Sequence, residues 1–378
     1  LGRYDEAVEC GLDALKVFET FNDELAAGKI ENNIGNIFWR REMHKEAEKN
    51  FLSARKRFIK LNDLSQLTMI EHCLATSYTY QNNFHKAEEF YRKALARSIK
   101  AKMFVTQAEI EASIGNLALF RAKFDQALRF LELSRQKYEK LQMPHQSLVA
   151  ELEMADVYLE LNLVSEAFEI YEKVTESLAK LKMQGEEARA RVNFARAAIG
   201  LRKNDLAQKQ LEKAAKLYKA EKNLAGEAFI KLIETQLSFS LQNYPQAFEL
   251  ARKTAEMLQK SGNLRYVLLL NYLQGEILLN LKKFAKAEKL FSETFAAASK
   301  QENLYLAQAA QTSLGKLSLQ QNDETKAENH FKQAIELIEN LRDPLPAEDF
   351  RMAFFADKLV SYQQLARICL KKGNVKKA

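Results

Sequence analysis

Nucleophilic catalysis needs a cysteine, serine or lysine held beside a base and a group that stabilises developing charge. His72 and Cys73 are adjacent in the sequence, but neighbours on a helix point about 100° apart and form no dyad. Cys73 therefore reads as a small core residue. The five histidines, His44, His72, His85, His145 and His330, are scattered and make no HExxH, so metal binding by protein ligands is not expected. Neither GxGxxG nor GxxxxGKS/T occurs, which leaves no loop to cradle phosphate. The 23 Phe and 13 Tyr recur with the spacing described below, which suits core packing better than base stacking. No catalytic residue, metal or cofactor is expected, and this stretch is not expected to be an enzyme. What chemistry remains is recognition by a surface.

The elements that carry that surface follow from composition. The 378 residues include only 12 Gly and 4 Pro, too few for a sheet-rich fold that turns every eight to twelve residues. An all-α chain is expected. Lys and Arg total 57 against 50 Asp and Glu, a net charge of +7. The basic residues interleave with acids, as in Glu88-Glu89 before Arg92-Lys93, the pattern of solvated helix faces rather than of a nucleic-acid binder, which gathers its charge on one face. Cys10, Cys73 and Cys369 are an odd set at long spacings, unlike a secreted disulfide framework. No run of about 18 apolar residues and no signal segment is present. A reducing compartment, the cytoplasm, is expected, with no membrane partner. The chain opens without a methionine, and it is expected to be a piece of a longer protein.

Internal repetition sets the architecture. At an offset of 40, alanine aligns with itself at Ala7, Ala47, Ala87, Ala127, Ala167, Ala207, Ala247, Ala287 and Ala327. Four positions later stands a mostly bulky column, Phe51, Tyr91, Leu131, Tyr171, Leu211, Phe291 and Phe331, with Gly11 and Ala251 as small exceptions. Twelve positions before the alanine stands a small column, Gly35, Ala75, Gly115, Ala155, Ala195, Gly275 and Gly315, from which Thr235 departs. Small residues let two helix backbones approach closely, and the bulky residue fills the adjoining space. Short polar joints such as Gln81-Asn82-Asn83, Gly262-Asn263 and Gln321-Asn322-Asp323 separate the helices. Each 40-residue repeat is thus expected to be two antiparallel helices of about 17 residues. Pro144, Pro344 and Pro346 fall in expected joints, and Pro245 falls in a first helical turn, where its missing N–H costs little.

A small residue, then alanine twelve later, then an aromatic, is the pattern of the tetratricopeptide repeat (TPR). The chain resembles a TPR array of the longer, 40-residue kind from residue 1 to about 341. Glu234 and Gln274 depart from it, standing where an apolar residue is usual. The resemblance implies a right-handed αα superhelix of about eight full helix pairs with partial repeats at both ends. Residues 1–341 would form this solenoid, and 342–378 an insertion loop and long helix. In TPR arrays the first helix of each repeat lines the concave face, which places the residue after the small column in the groove. That row is Asn36, Thr76, Asn116, Asp156, Arg196, Gln236, Glu276 and Lys316. Asn36 and Asn116 resemble the groove asparagines with which some TPRs hold an extended peptide, an amide donating and accepting at once. The same row could simply face water.

The segment Ala334–Arg342, then Leu345-Pro346, Phe350-Arg351, Phe354, Asp357 and Tyr362, resembles the junction of bacterial proteins that join a TPR array to a C-terminal CHAT domain, a caspase-like peptidase fold. Residues 342–378 would then lead toward such a domain. The expected function is a non-catalytic scaffold that binds a protein or peptide and controls that domain. The alternative is the TPR-like sensing region of a bacterial regulator, binding a small molecule or signalling peptide.

Overall fold

The computed structural model describes residues 4–41, 43–261, 264–342, 345, 348–356 and 358–373. The described residues form nineteen helices and no strand. After α1 (Tyr4–Thr20) come eight pairs of first and second helices. They are α2 (Glu24–Arg40) with α3 (His44–Lys60), α4 (Leu64–Tyr80) with α5 (Phe84–Lys100), α6 (Phe104–Phe120) with α7 (Phe124–Lys140), and α8 (Pro144–Glu160) with α9 (Val164–Lys180). Next are α10 (Gln184–Gly200) with α11 (Asn204–Ala220), α12 (Leu224–Ser240) with α13 (Tyr244–Ser261), α14 (Leu264–Asn280) with α15 (Phe284–Lys300), and α16 (Leu304–Gln320) with α17 (Glu324–Arg342). Two shorter helices follow, α18 (Glu348–Ala356) and α19 (Leu359–Lys371). The joint at Gly262-Asn263, Pro344, Pro346 and Asp357 lie outside the described residues.

Local chemistry closes the joints among the described residues. At the α1–α2 joint Asp23 N–H donates to the Phe18 carbonyl at 2.9 Å and Asn22 N–H to Glu19 at 3.1 Å, the paired bonds of a Schellman end. Asn22 sits at φ 53°, in the left-handed region that glycine usually fills. Asn62, Asn82, Asn162 and Asn322 hold the equivalent place in other joints; asparagine tolerates it better than most residues. Some of the following helices are then capped by a side chain: Asp23 accepts from Ala26 N–H at 2.9 Å, Asp63 from Gln66 at 3.0 Å and Asn303 from Leu306 at 3.0 Å, which satisfies one of the first-turn donors. Helices α3, α9, α10, α11 and α15 have no side-chain cap.

The columns meet as their spacing requires. The alanines from Ala47 to Ala327 are all 0% exposed, whereas Ala7, in the first helix, which packs mainly on α2, is exposed. A Cβ on Gly35 would lie 2.5 Å from the Phe51 ring, one on Gly275 2.5 Å from Phe291, and one on Gly315 2.6 Å from Phe331. The small column is therefore small because the bulky side chain sixteen residues later lies directly on it. Thr235, the one larger member, is matched in its repeat by Ala251, the small member of the bulky column, and both are fully buried. Glu234, out of pattern, is paired with Lys231 at 2.6 Å.

The chain divides into two compact units, residues 1–120 with 126–151, and residues 121–125 with 152–378. Helix α19 packs on α17 and α16, in the position of the next first helix.

Candidate functional site

All eight row residues lie on first helices, α2 to α16, and all are half-buried. The cause is helical pitch. With the small column pressed against its bulky partner, the next residue is turned about 100° away and emerges at the rim of the contact. The row divides by what its members do. Among the described residues, Asn36, Asn116, Gln236 and Lys316 leave their polar ends uncommitted, while Thr76, Asp156, Arg196 and Glu276 are engaged inside the array.

In the first unit the Thr76 hydroxyl donates to the His72 carbonyl at 3.1 Å and lies 3.1 Å from the Tyr91 hydroxyl. His72 Nε2 and Ser113 Oγ are 2.8 Å apart. Burial holds the His72 imidazole neutral, down at about 4, and pushes the Cys73 thiol up to about 12, assisted by Glu109. A thiol so held is not a thiolate near neutrality, so the pair is structural. Tyr80 and Phe120 stand one turn after Thr76 and Asn116, on the same helix faces. Tyr80 lies edge-on to Trp39, with ring centroids 5.7 Å apart, and edge-on to Phe120 at 5.5 Å. Phe120, one turn after Asn116, thus belongs to an aromatic group with Trp39 and Tyr80.

In the second unit Asp156 accepts from the Tyr171 hydroxyl at 2.6 Å and from Asn193 Nδ2 at 2.8 Å. Burial raises its carboxyl above the usual value, against the pull of Arg189 and Arg196. The Arg196 guanidinium donates to Glu160 at 2.9 Å, and Glu276 accepts from the Ser313 hydroxyl. Arg196 is therefore part of an internal network rather than a free ligand contact.

A second pattern, unnoticed in the sequence reading, belongs to the first unit. Glu31, Glu71 and Glu111 recur at 40 residues, all buried, and each meets a cation 26 residues later. Arg57 Nε lies 3.0 Å from Glu31, Arg97 2.6 Å from Glu71, and Lys137 2.5 Å from Glu111. Arg55 adds a bond to Glu71 at 2.9 Å, and Arg57 also reaches Glu24 and Glu19. The signal was present as columns of like charge at the repeat offset. Among the described residues no group of three or more His, Cys, Asp or Glu is placed to hold a metal ion, and no helix is long and apolar enough to cross a membrane.

Models of the tetratricopeptide repeat match residues 26–100 and 309–341. No curated protein sequence matches the chain. Among solved structures, a Rap protein complexed with competence and sporulation factor is similar at 12% identity and a TM-score of 0.62, over 90% of this chain and 99% of that one. The Rap conjugation gene regulator of plasmid pLS20, in complex with the Phr* peptide, is similar at 12% identity and 0.61, over 90% and 98%. The apo quorum sensor NprR from B. thuringiensis follows at 11% and 0.56, over 88% and 98%. This likeness shows the fold, an all-α right-handed array of TPR type.

The TPR–CHAT reading of the C-terminal segment, and with it the CHAT-associated function, is corrected here. The similarity over the chain is to Rap and NprR structures. The residues that suggested a junction instead serve packing. Phe354 is fully buried, Phe350 lies against Tyr158 with ring centroids 6.4 Å apart, and the Tyr362 hydroxyl donates to Glu339. Aromatic spacing alone could not separate a linker from a helix folded onto its own array.

Proposed function

We propose that the chain is the peptide-binding region of a regulator, and that the uncommitted amides of Asn36 and Asn116 contact the backbone of a peptide laid across the first helices of the first unit. The observation that carries this reading is their common state: half-buried, in one repeat register and free of internal partners among the described residues. An amide satisfies a peptide unit's donor and acceptor together. The Trp39, Tyr80 and Phe120 rings supply apolar contact for a side chain. The Rap structures of the same fold hold competence and sporulation factor or the Phr* peptide, which supports a peptide as the ligand class. Cys10, Cys73 and Cys369 are free thiols, which suits a cytoplasmic setting.

The test is an array of synthetic linear peptides probed with the parent and with Asn36→Ala/Asn116→Ala. Each lost bond to a bound backbone costs about 0.5–1.5 kcal/mol, so peptides selected by the parent should bind the variant about tenfold more weakly or worse. The melting temperature should stay at the parent's. Equal binding by both proteins would exclude the row as the binding strip.

A further inference from the structure

Helix α18 is tied to its flanks, where Phe355 meets Tyr362 of α19 edge-on at 5.8 Å, Arg342 lies 5.5 Å from the Phe355 ring and Lys358 Nζ donates to the Phe354 carbonyl at 3.0 Å. It is tied to the earlier repeats of the second unit by the contacts that follow. Its Phe350 ring lies 6.4 Å from that of Tyr158, and its Phe354 ring 6.4 Å from that of Phe124. Asn162, in the joint between α8 and α9 at φ 64°, donates from Nδ2 to the Ala353 carbonyl at 3.2 Å. Ala353 is among the last four carbonyls of α18, which have no acceptor role inside the helix. Asn162 therefore caps a helix that lies 191 residues further along the chain. Phe350 and Phe354 are one turn apart on the inner face, while Met352 is 61% exposed on the other.

Helix α19 has its own anchors. Ser361 and Thr312 hydroxyls are 2.9 Å apart, Lys371 reaches Glu324 at 2.7 Å and Lys372 reaches Glu328 at 2.7 Å. Ile368 is buried with Phe331 in a separate apolar cluster. Release of α18 would break the Phe355–Tyr362 ring contact but leave those bonds of α19 in place.

The edge made by Phe124, Tyr158 and Asn162 thus reads three features of its occupant: two aromatic rings at i and i+4, and a carbonyl at a helix C-terminus. None of these contacts depends on covalent continuity. We propose that this edge is a docking site for a short amphipathic helix bearing two phenylalanines four residues apart, filled in cis by α18 and exchangeable with such a helix presented by a partner protein. The chemistry of the partner is given by the occupant now seated there. This site is distinct from the amide row, so the two readings stand or fall separately.

The probe is a fluorescein-labelled synthetic peptide of residues 345–358, added to the full chain. In Phe350→Ala/Phe354→Ala, which vacates the edge, the peptide should bind at least tenfold more tightly than to the parent. Adding Tyr158→Ala and Asn162→Ala should remove that gain, whereas Asn116→Ala should leave it unchanged. A vacated chain that keeps its helical circular dichroism and binds no more tightly than the parent would overturn the proposal. Should that variant fail to fold, hydrogen exchange on the parent decides: saturating peptide should speed exchange in 348–356, and a peptide with both phenylalanines replaced by alanine should not. Unchanged exchange with both peptides would equally overturn it.

Discussion

At the scale of single residues, Asp156 shows how a row position can serve the fold in one repeat and stand open in another. Asn116 and Asp156 occupy equivalent places, but only Asp156 is met by a tyrosine hydroxyl and by Asn193. The carboxyl pays for this enclosure in desolvation, which raises it above 3.8 in the folded chain. The folded state then holds its proton more tightly than the unfolded state does. The resulting stability is fully present below the unfolded value and is lost as pH rises through the folded one. Asp156→Asn keeps the shape and has no proton to lose. The melting temperature of the variant relative to the parent should therefore climb as pH rises above the ordinary carboxylate range, read by thermal circular dichroism in matched buffers. A difference that stays flat with pH would show that the ionised form is already fully compensated by Arg189 and Arg196.

At the scale of helix pairs, two kinds of lock join first and second helices. The apolar one, glycine or alanine beneath a bulky side chain, was legible in the sequence because both columns keep their residue class at the 40-residue offset. Even its exception was legible, Thr235 being compensated by Ala251. The polar lock, Glu31, Glu71 and Glu111 with Arg57, Arg97 and Lys137, kept its class just as well, but charged residues at helical spacing also describe a solvated face. Only burial separates the two cases. Glu71 has a fully buried side chain, and its arginine partners are about a quarter exposed. Glu71→Gln should destabilise the first unit toward the lower end of the about 3–5 kcal/mol expected for a broken buried pair. Lys289 and Glu293, 3.9 Å apart with side chains 76% and 55% exposed, provide the contrast. Lys289→Ala should move the denaturation midpoint by an amount near the measurement error, as exposed pairs do.

At the scale of the whole chain, what the sequence could not disclose is contact between distant repeats. The seat of α18 against Phe124, Tyr158 and Asn162 joins segments about 190 to 230 residues apart, and no periodicity within a 40-residue window encodes it. Arg121 reaches Glu302 at 3.2 Å as well. Most of the remaining packing is between successive helices, together with first helices of adjacent repeats, the pattern of a one-dimensional array whose stability is a sum of repeat and nearest-neighbour contributions. In such a chain a defect should stay local. Gly275→Ala would place a Cβ 2.5 Å from the Phe291 ring, an overpacking that typically costs about 1–3 kcal/mol. Glu71→Gln acts on α3 to α5, at the other end. Native-state hydrogen exchange should show faster opening of α14 to α16 in the first variant and of α3 to α5 in the second. The double variant should show both effects at their separate sizes, within about 0.3–0.5 kcal/mol of additivity. A single opening shared by every helix in both variants would instead mean that the repeats unfold as one cooperative body. Strain at one peptide-contacting repeat would then be felt in all of them.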